Sequence, residues 1–207
     1  MLGSTDWDHD IILLYYLDYC YNQIMLYTRK GDDGTTRDFL VKDKQRLSKG
    51  SLRTEALGSL DEVNSYLGLV KLESNKKWKI LGKNISEIIA KVQNDLFIIQ
   101  AEVAGAGKCI EQNKIKEMEE LIDSIEKLMP PIKTFFISGG IRLSTYLDIS
   151  RTLARKAERS VVRAIEHKDL KIGHDTLCYL NRLSSLLYAL VRFVNFKSKV
   201  REQAPSY

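Results

Sequence analysis

The chain has 207 residues, 44% hydrophobic and 29% charged, with 32 Lys and Arg against 27 Asp and Glu, the size and composition of one domain with its own core. Only 3 Pro and 12 Gly argue against a turn-rich sandwich or barrel, and the Cys at 20, 109 and 178 form no close pair and no CxxC, which excludes a disulfide framework and a zinc cluster. No apolar run approaches the ~20 residues of a membrane span, so a soluble cytoplasmic protein with no membrane partner is expected.

Residues 1–24 are acidic and tyrosine-rich, with Asp6, Asp8, Asp10 and Asp18 and no Lys or Arg. They read as an appendage, either packing Ile11 to Leu17 on the body or on a neighbouring subunit, or lying before a working start at Met25. The 27 acidic residues less these four leave 23 against 32 basic ones, so the domain at 25–207 carries +9. Such a surplus suits an anionic ligand: nucleic acid, an acidic membrane surface or a small polyphosphate. Residues 28–37 form a Gly/Asp/Thr-rich loop, and Lys42 to Lys49 a basic connector.

Helical spacing then takes over. A first helix at about 52–72 places Leu60, Val63, Leu67 and Val70 on one face, with Ser51 as N-cap. A second at about 84–104 has Ile85, Ile88, Ile89, Val92, Leu96, Ile99 and Val103 in three- and four-residue steps, the seam of a bundle helix. A third at about 112–128 carries Ile115, Met118, Leu121, Ile122, Ile125 and Leu128, with Pro130 and Pro131 as its stop. Residues 132–140, IKTFFISGG, read as an ordered loop. Helices at about 141–167 and 174–197 complete an all-α bundle of five.

Chemistry concentrates on the fourth helix. At about 100° per residue, Asp148, Arg151, Arg155, Glu158 and Arg159 share one broad face, while Leu147, Ala154, Ala157, Val161 and Ile165 share another. Such a stripe is either a solvated surface laced with i, i+3 and i, i+4 pairs or a set of guanidinium forks for phosphate, with Glu158 orienting one of them. The loop TRKGDDGTT, Thr28 to Thr36, is either a plain turn or a phosphate cradle in which Gly31 and Gly34 free backbone N–H groups. It lacks the Walker order and a preceding strand. Asp61, beside the apolar stripe of the first helix, is an exposed acid or the partner of a basic helix, Arg151 being the best candidate. The same choice applies to Asn181 and Arg182. Phe135 and Phe136 fit a core as well as a ligand platform. His9, His167 and His174 have no ligand spacing, so no residue is assigned to a protein-held metal.

These pieces are distributed as YTRKGDDGTT at 27–36, RLSK at 46–49, LGSLDEVNSYLG at 57–68, VQNDLF at 92–97, FFISGG at 135–140, SRTLARKAERSVV at 150–162 and LNRLSSLLYALVRFVN at 180–195. In that order they resemble the PduO-type ATP:cob(I)alamin adenosyltransferases. The resemblance implies a ferritin-like five-helix bundle assembled as a homotrimer, with active sites between protomers. It also implies transfer of the 5′-deoxyadenosyl group of ATP to cob(I)alamin with Mg²⁺, giving adenosylcobalamin and triphosphate. By matching position, Thr28, Arg29, Lys30, Gly31, Thr36 and Arg37 would wrap the nucleotide and Lys49 would reach its phosphates. Arg155, Lys156, Glu158, Arg159 and Asn181 would complete that site. Arg151 would be the essential arginine near the triphosphate, held by Asp61 across the subunit interface, and Phe135 would fill the lower axial face of the corrinoid, with Phe136 as the fallback.

The sequence departs from the family pattern at Ser138, where proline is usual, at Leu57, where an aromatic is usual, and at DFLVKDK after the nucleotide loop. Expected partners are ATP, the corrinoid and further copies of the chain, with a corrinoid reductase or a cobalamin-dependent enzyme as protein partners. The competing readings are a catalytically silent corrinoid and ATP carrier on the same bundle, and a basic helical module for nucleic acid.

Overall fold

The computed structural model describes residues 27–37, 46–74, 78–134 and 136–206; the acidic segment 1–24, connector residues 42–45 and Phe135 lie outside the described residues. The helices are α1 Leu52–Glu73, α2 Ile85–Val103, α3 Gln112–Glu126, α4 Arg142–Glu166 and α5 His174–Lys197. Their ends follow local chemistry. Ser51 caps α1 by accepting from the Thr54 N–H at 3.2 Å. Asn84 and Glu87 form a reciprocal capping box at the start of α2. α3 stops at Glu126, before Pro130 and two residues short of the expected end, which leaves Leu128 46% exposed beyond the helix.

Two antiparallel hairpins accompany the helices, β1 Thr35–Arg37 with β2 Arg46–Ser48 and β3 Lys79–Ile80 with β4 Lys83–Asn84. The sequence reading contained no strand. The β3–β4 turn has φ of 49° at Leu81 and 79° at Gly82, the pair of positive angles that two-residue hairpin loops favour.

The expected seams are buried. All seven apolar positions of α2 lie in the core, as do Leu60, Val63, Leu67 and Val70 of α1 and Leu180, Leu183, Leu187, Leu190, Val191 and Val194 of α5. Each such side chain stabilises the fold by about 1.5–3 kcal/mol relative to exposure. Ala154 and Ala157 let α4 pack closely between α1 and α5, while α2 lies on α1 and α3 on α5. Asp95, 2% exposed, ties three helices: it accepts from Lys114 of α3 at 2.6 Å and from the Tyr179 hydroxyl of α5 at 2.9 Å. Burial and the Asp95 charge push the Tyr179 phenol well above its ordinary pKa, keeping it a donor.

α1 and α4 run antiparallel. Ser59 meets Ser160 at 3.3 Å, Glu62 meets Lys156 at 2.7 Å, Tyr66 stacks edge-on to Tyr146, and Glu73 meets Arg142 at 2.9 Å. Among the described residues α5 is the helix long and apolar enough to cross a membrane, yet 67% of its most apolar window is buried in the bundle, as in a core helix.

Candidate active site

One end of the bundle holds a cavity of about 290 Å³ where α4, α5, the loop after α3 and the chain beyond α5 converge. Asp148 and Arg151 come from α4, Tyr188 and Asn195 from α5, Phe136 to Gly140 from the loop, and Val200 to Gln203 from the C-terminal segment. The Arg151 Nε donates to Asp148 Oδ1 at 2.7 Å, and its guanidinium lies 5.8 Å from the centroid of the Tyr188 ring. Burial raises the pKa of the Tyr188 hydroxyl.

The loop is fastened at several points. Asn195 Nδ2 donates to the Gly139 carbonyl at 3.1 Å, and the Ile137 N–H donates to the Gln203 carbonyl at 2.8 Å. Arg192, 8% exposed, lies over the Phe136 ring at 5.4 Å, pairs with Glu202 at 3.3 Å and donates to the Pro130 carbonyl. Gly140 has a φ of 128°, and a Cβ there would fall 2.1 Å from Asn195 Oδ1. Asn195 Oδ1 is buried and has no hydrogen-bond partner among the described residues. Phe135 falls outside the described residues, so the described aromatic on this wall is Phe136.

Further along α4, Arg155 and Arg159 are exposed on the Arg151 face. Glu158 beside them accepts from Asn181 Nδ2 at 3.0 Å, and Asn181 Oδ1 accepts from Arg182, which also pairs with Glu119 at 2.8 Å. Lys156 projects elsewhere. Its ammonium reaches Glu62 of α1, and that hydrogen bond raises its pKa, so the protomer separates Lys156 from the arginine face.

The loop before α1 is a compact hairpin. Lys49 Nζ donates to the Gly31 carbonyl at 2.8 Å, the Gly34 N–H to the same oxygen at 3.2 Å, and the Lys49 N–H to the Gly34 carbonyl at 2.9 Å. Asp33 accepts from both the N–H and the hydroxyl of Thr35, which holds its carboxyl below the ordinary value. Arg46 bonds the Thr35 hydroxyl and its carbonyl. The Lys30 N–H donates to the Thr28 hydroxyl at 3.4 Å, and Arg29, at φ 58°, lies over Tyr27. Thr28, Arg29, Lys30, Gly31, Thr36, Arg37 and Lys49 therefore gather in one exposed structure rich in cations and hydroxyls. A Cβ on Gly31 would sit 2.9 Å from the Thr35 carbonyl oxygen, so the close turn requires glycine.

Within one protomer the two groups are far apart. The Tyr66–Tyr146 and Glu62–Lys156 contacts place Arg151 about level with residue 64 of α1, roughly 20 Å along the axis at 1.5 Å per residue from the start of α1, where the hairpin joins it. Asp61, exposed and next to Glu62, is level with Lys156 instead of Arg151. The carboxylate on Arg151 in the protomer is Asp148.

Tyr188, Asn195, Arg192 and Arg46 were not singled out from sequence. The first three sit inside a nearly continuous apolar run, where they read as core. The i, i+3 spacing of Asp148 and Arg151 was the available signal for their pairing.

The chain is similar to known proteins over most of its length. The family model described as cobalamin adenosyltransferase matches residues 26–194. The corrinoid adenosyltransferase of Mycobacterium leprae (strain TN) is 34% identical over 181 residues, covering 82% of this chain and 91% of that protein. The corrinoid adenosyltransferase PduO of Citrobacter freundii is 37% identical over 175 residues, covering 81% of this chain but 49% of its own, so the chain spans about half of that relative. A variant PduO-type ATP:corrinoid adenosyltransferase from Lactobacillus reuteri, solved in complex with cobalamin and ATP, superposes with a TM-score of 0.78 at 29% identity, over 88% of this chain and 100% of that one. Sequence and bundle geometry agree, and the chain belongs to the cobalamin adenosyltransferase family.

Proposed function

We propose that residues 25–207 form an ATP:corrinoid adenosyltransferase domain, with 1–24 as an appendage. The observation that carries this reading is the cavity in which Arg151 faces the aromatic, glycine-ended loop, a cation beside an apolar wall. In the reaction the Co(I) of the reduced corrinoid, a substrate, uses its electron pair to form a bond to the 5′ carbon of ATP. The bond from that carbon to the triphosphate oxygen breaks, and triphosphate leaves with its electron pair. No protein nucleophile is needed.

The protein's task is to bind, orient and neutralise. The hairpin carrying Thr28, Arg29, Lys30, Gly31, Thr36, Arg37 and Lys49 supplies backbone and side-chain donors to the nucleotide. Arg155, Arg159 and Arg151 gather the charge that develops on the leaving triphosphate, and Glu158 with Asn181 orients that face. Lys156 reaches this site only by leaving Glu62. Phe135 or Phe136 closes the lower axial face of the corrinoid and excludes a donor ligand there, which eases reduction to Co(I).

Magnesium fits as a companion of the nucleotide: among the described residues no group of three or more His, Cys, Asp or Glu assembles a cage, and Mg²⁺ ordinarily takes one or two carboxylates plus phosphate oxygens. Of the two carboxylates on the arginine face Asp148 is committed to Arg151, so Glu158 would hold the ion, which would neutralise phosphate charge.

The hairpin and Arg151, roughly 20 Å apart along one protomer, support a site shared between protomers, with Asp61 of one subunit meeting Arg151 of the next. The working form is taken as a cytoplasmic homotrimer that receives its corrinoid from a reductase or passes product to a cobalamin-dependent enzyme. The test is anaerobic incubation of the protein with chemically reduced cob(I)alamin, ATP and Mg²⁺. Loss of the Co(I) absorbance with stoichiometric adenosylcobalamin and triphosphate is expected. Corrinoid binding without transfer would instead favour a silent carrier.

A further inference from the structure

Arg151 is restrained in a way that an ordinary helix-surface arginine is not. Exposed i, i+3 ion pairs hold their partners loosely and contribute little. Here the Asp148 side chain is 10% exposed and the Arg151 side chain 26%, and both line the cavity. Helical side chains lean towards the N-terminus of their helix, so Arg151 leans back over Asp148 and seats its Nε on Oδ1 at 2.7 Å. On the α5 side the guanidinium meets the Tyr188 ring at 5.8 Å. The Tyr188 environment also includes the charges of Arg192 and Glu202, while Arg192 is itself tied to Glu202 and the Pro130 carbonyl.

A guanidinium has five N–H donors in a rigid fork. With Nε committed to Asp148, the two Nη groups are left for a second acceptor. We propose that Asp148 and Tyr188 are positioning residues that hold the Arg151 guanidinium with its Nη edge presented to the cavity, ready for triphosphate oxygens. This rests on the adenosyltransferase reading above and adds to it residues that do not themselves touch the reacting atoms. A carboxylate from another protomer, such as Asp61, then adds to the Asp148 contact without replacing it.

The carboxylate has two opposing effects. It aims the cation, which favours the transition state, and it subtracts positive charge from the cavity, which weakens ground-state binding of the polyanion. Removing it therefore separates kcat from KM. Steady-state adenosyl transfer is measured for Asp148→Ala, Asp148→Asn, Tyr188→Leu and Tyr188→Phe, with thermal melting of each protein. Asp148→Ala is expected to lower kcat on the order of tenfold while KM for ATP stays level or falls. Asp148→Asn keeps an acceptor for Nε and is expected to retain kcat within about threefold, with a lowered KM for ATP. Tyr188→Phe keeps the ring beneath the guanidinium, so Tyr188→Leu should lose severalfold more kcat than Tyr188→Phe. Asn and Ala variants falling equally, or KM for ATP rising in step with the loss of kcat, would overturn the proposal, as would an unchanged kcat in Asp148→Ala. If Asp148→Ala fails to fold, the contrast between Tyr188→Phe and Tyr188→Leu decides. A native protein that transfers nothing overturns the functional reading itself, an outcome visible before any variant is compared.

Discussion

Arg151 is the residue on which the proposed chemistry and the structure meet: Asp148 and Tyr188 flank its guanidinium, and in the proposed reaction its charge meets the departing triphosphate. Replacing it with Ala is expected to lower kcat about 10²–10³-fold, the scale of losing one preorganised charge-stabilising donor, with the protein still folded although Asp148 loses its ion-pair partner. A rate within twofold of the native value would remove it from the site. Asp95 illustrates the opposite case, a charge with a structural purpose. Asp95→Ala leaves the Lys114 ammonium and Tyr179 hydroxyl without their acceptor, so a loss of about 3 kcal/mol is expected. Calorimetry should then find Tm lowered by roughly 6–12 °C. At this scale the sequence was partly legible. Asp148 and Arg151 were visibly on one face, but a contact between helices, such as Arg151 on Tyr188, has no signature in spacing along either helix. Lys156 shows the reverse: a basic residue among arginines that structure turns towards Glu62.

At the scale of elements, the five helices were readable because each buries one stripe at three- and four-residue steps, and periodicity reports that directly. The hairpins were not. β3–β4 is built around Leu81 in a left-handed conformation, which leucine rarely adopts, so the usual Asn-Gly or Asp-Gly signal is missing. β1–β2 is held by Arg46 and Lys49 contacts across the hairpin, with Asp33 bonding Thr35 within one arm, and not by alternating apolar residues. The loop from Phe136 to Gly140 was expected to be ordered, and its order comes from Asn195, Arg192 and the C-terminal segment. Gly140→Ala tests that arrangement: a Cβ would lie 2.6 Å from Ser144 Oγ and 2.1 Å from Asn195 Oδ1 at a strained φ. Corrinoid KM is expected to rise about tenfold, with ATP KM within twofold, since misplacement by about an ångström is felt mainly by the ligand at that wall. Equal changes in both constants would show that the loop does not serve the corrinoid alone.

For the whole molecule, the decisive fact is separation. The cationic hairpin precedes α1, the cavity of Arg151 lies well along the antiparallel α4, and no bending of side chains closes roughly 20 Å. Sequence placed both groups in one site through resemblance, while the register of α1 on α4 sets them apart along the bundle axis, which is what supports the proposal of a site shared between protomers. Sedimentation is accordingly expected to find an oligomer, with a trimer as the stated expectation. The most direct measurement is adenosyl transfer by a co-expressed one-to-one mixture of Lys49→Ala and Arg151→Ala subunits, each inactive or nearly so alone. Sites that draw the hairpin from one protomer and Arg151 from another should recover about a quarter of native activity by random pairing. No recovery from demonstrably mixed oligomers would contradict a shared site and require hairpin and arginine to act within a single chain.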